Sequence, residues 1–285
     1  MDKEQKAIKR IQMASEMSLH HYGKPLICTY SGGKDSDVML ELFIRSGVPF
    51  EVIHSHTTVD APQTVRHVRN TFRNLEEKSI KCTVHMPEMS MWKLIAYKKF
   101  PPCRTQRYCC EYLKENNVKN RFVATGVRWE ESNRRKNRSE IEPQGKNAAR
   151  KIMLMSDNDR KRALIERCEM KSDMIVNPII VWKDSDVWDF YWNECKDHNQ
   201  LYKMGYYRIG CIGCPMAGKH RWKEFSDFPK YKQLYINAFG RMLDAIHASG
   251  KKTKWKTAED VFLWWMEDDN IPGQMSIEDF PEVMP

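Results

Sequence analysis

The feature that most constrains this 285-residue chain is an alternation of short apolar runs with longer stretches of helical period. The runs are Pro25–Tyr30, Phe50–His54, Ile80–His85, Phe122–Val127 and Ile175–Ile180. Among them lie Asp37–Arg45, Thr64–Lys78, Ser90–Lys98 and Cys109–Glu115, where apolar residues recur every three or four positions. Strands alternating with helices predict an α/β fold: an open, mostly parallel five-stranded sheet with flanking helices. In such sheets ligands sit beyond the carboxyl ends of the strands. The loop Ser31-Gly32-Gly33-Lys34-Asp35-Ser36 falls there, directly after the first strand.

Beyond Ile180 the pattern turns helical. Asp184–Cys195 is expected to start from Asp184 or Ser185 as N-cap, before Val187, Trp188 and Tyr191. A cysteine-bearing loop and helical stretches at Tyr231–Ala248 and Thr257–Glu267 follow. Ile8, Ile11, Ala14 and Met17 mark an amphipathic N-terminal helix. The expected organisation is a nucleotide-binding α/β domain with a cysteine cluster over residues 1–220, carrying a basic insertion at 128–170, and a helical C-terminal extension with a tail over 221–285. The longest apolar run, Val261–Met266, is too short to span a bilayer. The first residues are charged and lack a signal peptide's apolar centre. Nine cysteines in that setting suggest thiols kept for metal or redox chemistry, and a cytoplasmic location is expected.

The glycine loop is not a Walker A sequence, which needs four residues between its first glycine and the Gly-Lys pair. Its physics is related. Gly32 and Gly33 can take positive φ, so that backbone N–H groups converge on an anion. Ser36 and Asp37 would open the next helix, whose N-terminus favours phosphate. Lys34 supplies a mobile point charge, and the Ser31 and Ser36 hydroxyls can donate to phosphate oxygens. The plainer reading is a polar strand-to-helix turn.

Placed after an apolar strand, SGGKDS resembles the pyrophosphate-binding loop of the ATP-pyrophosphatase (PP-loop, adenine nucleotide α-hydrolase-like) superfamily. More narrowly, the chain resembles the phosphoadenosine phosphosulfate (PAPS) reductase family. Ala61–Thr64 (APQT) is similar to that family's turn after the second strand, and Arg107–Lys114 (RYCCEYLK) to its tandem-cysteine helix. Ala124–Ser132 (ATGVRWEES) is similar to its Gly-x-Arg-x-x-x-Ser segment. NPIIVWKDSDVWDF and LYKMGYYRIGCIGCP are similar to its later tryptophan and Cys-x-x-Cys segments. The resemblance runs from about Pro25 to about Gly218 and implies nucleotide contacts at Ser31–Ser36, Gly126 and Arg128. One departure stands out: His56-Thr57-Thr58-Val59-Asp60 replaces the family's acidic or amide residue before a Thr-Gly pair.

Cys109, Cys110, Cys211 and Cys214 make a four-thiolate set that suits zinc or an iron–sulfur cluster. Adjacent cysteines are less usual for structural zinc. The resemblance to iron–sulfur sulfonucleotide reductases implies a [4Fe–4S] cluster, with zinc as the alternative. Cys103 is a rival for one ligand place, while Cys28, Cys82, Cys168 and Cys195 read as small buried apolar residues. The nine histidines show no metal-ligand spacing.

The resembled family holds two chemistries. Its reductases split adenylyl sulfate or PAPS with a nucleophilic cysteine in a C-terminal Glu-Cys-Gly segment, and here no cysteine follows Cys214. Relatives with an intact loop cleave ATP between the α and β phosphates. Lys34 and Mg²⁺ would neutralise the developing pyrophosphate, with Asp35 holding the metal or the loop. A formal net charge of +9 and a pI near 9.0 suit an anionic partner. Arg128, Arg134, Arg135, Lys136, Arg138, Lys146, Arg150, Lys151, Arg160, Lys161 and Arg162 crowd one segment, and Lys251–Lys256 (KKTKWK) adds Lys252 and Lys254 as nucleic-acid phosphate contacts with Trp255 as a stacking platform. A solvated face is the plainer reading of both. The implied function is ATP-dependent, iron–sulfur-dependent sulfur transfer to DNA or tRNA. The pattern comes from relatives in DNA phosphorothioation and tRNA thiolation, with a cysteine desulfurase or other sulfur donor as partner. Alternatives are a sulfonucleotide reductase releasing sulfite and a non-catalytic sensor. Gln274–Phe280 (QMSIEDF) resembles peptides that dock on bacterial sliding clamps.

Overall fold

The run expected at Pro25–Tyr30 folds as β1, Leu26–Thr29, whose Leu26, Ile27 and Cys28 are fully buried. A strand covered on both faces reads as a continuous apolar run, which is why it is legible without alternation. In this computed structural model, residues 2–114, 118, 120–133, 135–143 and 174–267 are described. They fall into two units: Met1–His56 with Asp60–Met86 and Glu115–Gly210, and Thr57–Val59 with Pro87–Lys114 and Cys211–Pro285.

The first unit is built on β1, β2 (Phe50–Ser55), β3 (Cys82–His85), β4 (Phe122–Ala124), β5 (Ile141–Pro143) and β6 (Met174–Val176). Among the described residues they form one sheet of order β3-β2-β1-β4-β6-β5. All pairs are parallel except β5 with β6. The chain moves outward from β1 to β2 and β3, then returns to β4 on the other side of β1. That reversal is a topological switch point, where the loops after β1 and β4 part and leave a crevice. The glycine loop follows β1, and Gly126 and Arg128 follow β4.

Helices α1 (Lys3–Tyr22), α2 (Lys34–Ser46) and α3 (Pro62–Glu76) belong to this unit. Ala7, Ile11 and Ala14 of α1 and Val38, Met39, Leu42 and Phe43 of α2 join the core around β1. Two expectations change. The sheet gains β5, inside the expected basic insertion, because three residues are too few to show a period. The last strand ends at Val176 rather than Ile180, since Asn177-Pro178 breaks the ladder and Asn177 Nδ2 turns to the Ser139 carbonyl at 2.8 Å.

The second unit holds α4 (Met91–Lys98) and α5 (Tyr108–Leu113). After two further helices of the first unit, α6 (Asp184–Glu194) and α7 (Gln200–Lys203), come its α8 (His220–Asp227), α9 (Pro229–Ala248) and α10 (Ala258–Met266). Trp92 of α4 meets Tyr235 of α9 edge to face at 5.0 Å, and Met91, Leu94, Ile95, Ala238, Phe239 and Met242 are buried. The division drawn on sequence at residue 220 therefore differs from this partition, in which Pro87–Lys114 and the segment from Cys211 go with the C-terminal helices. The packing of α4 on α9 joins segments remote in sequence, which no local pattern reports. Among the described residues no helix is long and apolar enough to cross a membrane.

Candidate functional site

The glycine loop is held by its own hydroxyls. Gly32 takes φ 75°, and a Cβ there would stand 2.9 Å from Val68 Cγ2 and 3.1 Å from Thr64 Cγ2, so the packing of α3 against the loop requires glycine. Gly33 does not adopt the positive φ expected; it is the extended N-cap of α2 at φ −102°. Its N–H donates to Ser36 Oγ at 3.1 Å, and the Lys34 N–H donates to Tyr202 Oη at 2.7 Å. Ser36, expected to donate to phosphate, is buried and spends its hydroxyl on the Gly33 carbonyl at 2.7 Å. Ser31 is exposed at the loop's start. Asn199 Nδ2 donates to the Gly32 carbonyl at 2.9 Å, tying the loop to α7.

Lys34 is not the mobile charge expected. It is 6% exposed, and its Nζ lies 3.1 Å from Asp35 Oδ2, 3.2 Å from Asp184 Oδ1 and 5.1 Å from the Trp188 ring centroid. A buried ammonium needs such partners to offset its lost hydration. Arg128, 3% exposed, closes the group: its Nε donates to Asp35 Oδ1 at 2.5 Å and its Nη2 to Asp184 Oδ1 at 2.9 Å. Arg128 Nη1 is buried with no hydrogen-bond partner among the described residues and stands 3.7 Å from Glu130 Oε2. Gly126 lets the segment after β4 approach α2, where a Cβ would meet the Asp35 backbone at 3.4 Å.

Asp184 was expected at a helix cap. The cap of α6 is Lys183, whose N–H donates to the Asp186 carboxylate at 2.7 Å, and Asp184 is released into the charge group. Burial would raise the Asp184 pKa, but the Lys34 charge and hydrogen bond, with Arg128 behind them, hold it below the usual carboxylate range. Behind the loop, Asp37 is buried in the first turn of α2. Tyr30 Oη donates to it at 2.5 Å, and His67 Nε2 stands 3.1 Å from both oxygens. Burial pulls the His67 pKa down, yet the hydrogen bond and charge of Asp37 bring it above the ordinary histidine value.

Tyr202, Asp184 and Asn199 were not singled out as loop contacts from sequence. The signal available was weak: they are polar groups in aromatic surroundings, and no spacing links them to Lys34.

In the second unit, α5 carries Cys109 and Cys110, and a turn with Cys214 N–H donating to the Cys211 carbonyl at 3.2 Å carries the other pair. Gly213 lies inside that turn at φ 74°, where a Cβ would meet Phe225 Cζ at 2.7 Å and Trp265 Cη2 and Tyr235 Cε2 at 3.0 Å. Its N–H donates to Glu224 Oε2 at 2.7 Å, and Tyr235 Oη donates to the Ile212 carbonyl at 2.8 Å. A hydrogen bond to Cys110, then burial and the charges of Cys110, Cys211 and Cys214, push the Cys109 thiol far up. The bond from Cys109, opposed by burial and helped by Arg107, pulls Cys110 down to about 5. Arg107 Nη2 donates to Cys110 Sγ at 3.2 Å. Cys103 is turned to its own loop, with Thr105 Oγ1 at 3.2 Å and the Gln106 N–H at 3.3 Å. Burial places Cys28 and Cys195 well above the ordinary thiol value and Cys82 at about 11. Cys168 lies outside the described residues.

Trp255 corrects its expected role. It is 8% exposed and packs on Phe100 and Trp264, so it offers no stacking face. Lys252 and Lys254 are exposed, as is Lys136. Arg135 pairs with Glu131 and Arg138 with Glu142. Arg134, the cations from Lys146 to Arg162, and Gln274–Phe280 lie outside the described residues.

The profile of the phosphoadenosine phosphosulfate reductase domain matches residues 25–217. An uncharacterized protein of Methanocaldococcus jannaschii is 24% identical over 226 residues, 75% of this chain and 41% of that protein. The chain thus spans less than half the length of this relative, and the same holds for a second from that organism. An adenosine 5'-phosphosulfate reductase of Geobacillus kaustophilus is 24% identical over 201 residues, 68% of this chain and 74% of that enzyme. The crystal structure of phosphoadenylyl-sulfate (PAPS) reductase from Candida auris, a phosphate complex, superposes with a TM-score of 0.48 at 17% identity, covering 72% of this chain and 87% of that one.

Proposed function

Since the chain belongs to the phosphoadenosine phosphosulfate reductase domain family, we propose that it is an ATP pyrophosphatase-type enzyme that activates an acceptor for sulfur transfer. The observation that carries this reading is Arg128: a buried guanidinium behind the glycine loop, with Nη1 lacking a hydrogen-bond partner among the described residues and Lys34 sharing its acids. Two buried cations beside a helix N-terminus suit a polyphosphate better than a neutral ligand.

The β- and γ-phosphates would lie over Gly32 and Gly33, exchanging Asp184 for phosphate oxygen at Lys34 and Arg128. An acceptor oxygen attacks the α-phosphorus, the bond from that phosphorus to the β-bridging oxygen breaks, and pyrophosphate leaves as AMP joins the acceptor. Lys34 and Arg128 stabilise the charge that grows on the leaving oxygens, an interaction stronger in the transition state than in bound ATP. A sulfur nucleophile then displaces AMP. Each Asp35 oxygen already takes a cation, so Asp35 fits a role in holding the loop. Mg²⁺ would ride mainly on the phosphates, as it commonly does, and would add charge neutralisation.

The four thiols fit a metal centre by their chemistry: Cys109 and Cys110 perturb each other, the charges of Cys211 and Cys214 reach Cys109, and Arg107 stands beside Cys110. The tandem pair Cys109-Cys110 with Cys211 and Cys214 supports a [4Fe–4S] cluster, which would supply electrons or sulfide. Net charge and exposed Lys252 and Lys254 support a nucleic acid as acceptor. A cysteine desulfurase would serve as sulfur donor.

The test is to incubate anaerobically purified protein with α-labelled ATP and Mg²⁺, with and without DNA or tRNA. AMP and pyrophosphate release, stimulated by one nucleic acid, is expected. The name of the Geobacillus relative favours a second reading, reduction of adenylyl sulfate. Thiol-dependent sulfite release from that compound, with ATP left intact, would replace the first reading by the second.

A further inference from the structure

His54 and His56 stand two residues apart at the carboxyl end of β2, and positions two apart along a strand share a face. The chain then turns at Thr58, which takes φ 65°, and Asp60 follows. One ligand atom from each of His54, His56 and Asp60 lies within 4.8 Å of the other two. His56 Nδ1 and Asp60 Oδ2 are 3.3 Å apart. Two donors bound at about 2.0–2.1 Å to one tetrahedral ion stand about 3.3–3.4 Å apart, so this pair already has the spacing of neighbouring ligands.

The third donor is oriented from behind. His54 Nδ1 lies 2.9 Å from the Tyr30 carbonyl, which can only accept, so Nδ1 donates there and a metal would bind through Nε2. Metal-binding imidazoles are commonly fixed this way, by a backbone carbonyl on the other ring nitrogen. His54 is 4% and Asp60 9% exposed, whereas the His56 side chain is 23% exposed. Two ligands are withdrawn and one stands at the rim, so an ion would reach the group from the His56 side. Two imidazoles and a carboxylate suit a first-row divalent metal and match neither the soft ligands of an iron–sulfur cluster nor the all-oxygen set of calcium.

We propose that His54, His56 and Asp60 form a binding site for a first-row divalent transition metal such as Zn²⁺, Mn²⁺ or Co²⁺. The site shares no residue with the four-cysteine set and does not depend on the function proposed above. Through the Tyr30 carbonyl it bears on the residue that precedes the glycine loop, so an occupied site braces the strand end from which that loop departs.

Co²⁺ separates this site from the thiols by its spectrum. Anaerobic protein, freed of loosely held ions and otherwise as isolated, is titrated with Co²⁺. One equivalent should bind with ligand-field absorption and no thiolate-to-cobalt charge transfer. His56→Gln and Asp60→Asn should each weaken that equivalent at least tenfold. Mn²⁺ binding followed by electron paramagnetic resonance gives a second readout, blind to thiolate and cluster absorption. Circular dichroism of the variants checks folding, and the rim residue His56 is the milder change. The proposal is overturned if all bound cobalt shows thiolate charge transfer, or if folded His56→Gln binds Co²⁺ and Mn²⁺ as the parent does.

Discussion

Lys34 and Arg128 share a single carboxylate oxygen: Asp184 Oδ1 lies 3.2 Å from the Lys34 ammonium and 2.9 Å from Arg128 Nη2. Two buried cations so close would repel without an anion between them. Asp184 and Asp35 fill that role here, and Asp184, with a half-exposed side chain, is the one placed to yield to phosphate.

Lys34→Met keeps the length of the side chain and removes its charge. ATP cleavage should fall about 10²–10³-fold in kcat, the loss typical when one preorganised electrostatic contact to a transition state is removed. AMP release measures it, and an unchanged melting temperature would assign the loss to chemistry.

Asp184→Asn removes the carboxylate that competes with phosphate for both cations. Pyrophosphate should bind more tightly to this variant than to the parent by calorimetry. Weaker binding would mean that Asp184 positions Lys34 instead of competing with the ligand.

His67 gives a pH signature of stability. Its folded-state pKa is raised by Asp37, so its contribution is complete below the unfolded value of about 6.5 and is lost as pH rises through the folded value. The urea midpoint gap between the parent and His67→Gln should therefore narrow from pH 6 to pH 9. A gap that widens over that range contradicts the ion pair.

Gly32→Ala places a Cβ 2.9 Å from Val68 at φ 75°. The strain should cost about 1–3 kcal/mol, read as a lower urea midpoint, while Gly250→Ala, also at positive φ but with nothing within 4 Å, should cost less.

Protein purified anaerobically should contain about four iron atoms and as much acid-labile sulfide per chain. Cys109→Ser and Cys214→Ser should each lose both, whereas Cys103→Ser should keep them. One zinc and no sulfide in the parent would reverse the assignment.

Much of the fold was legible because β1 through β4 and their intervening helices are written in local periodicity. Strand β5, three residues long, carried no period to detect. The glycine loop was legible as a motif, and its working parts were not: Gly33 proved extended, Ser36 turned inward, and Tyr202 and Asn199 came from a distant helix to hold the backbone. Trp255 looked like a stacking platform beside lysines because sequence reports neighbours along the chain, not the Phe100 and Trp264 rings that bury it. His54 and His56 showed no ligand spacing in the sequence because their third partner, Asp60, reaches them only after the turn at Thr58.

By itself the sequence determined the parallel α/β sheet and the loop after β1, and it offered four thiols as a candidate ligand set, since strand pattern, glycine placement and donor chemistry are local properties. Tertiary structure alone decided that Asp184 bridges Lys34 and Arg128, that Asp37 raises the His67 pKa, and that His54, His56 and Asp60 converge. Electrostatic partnership depends on distance and burial, and those follow from how remote segments pack, not from their order along the chain.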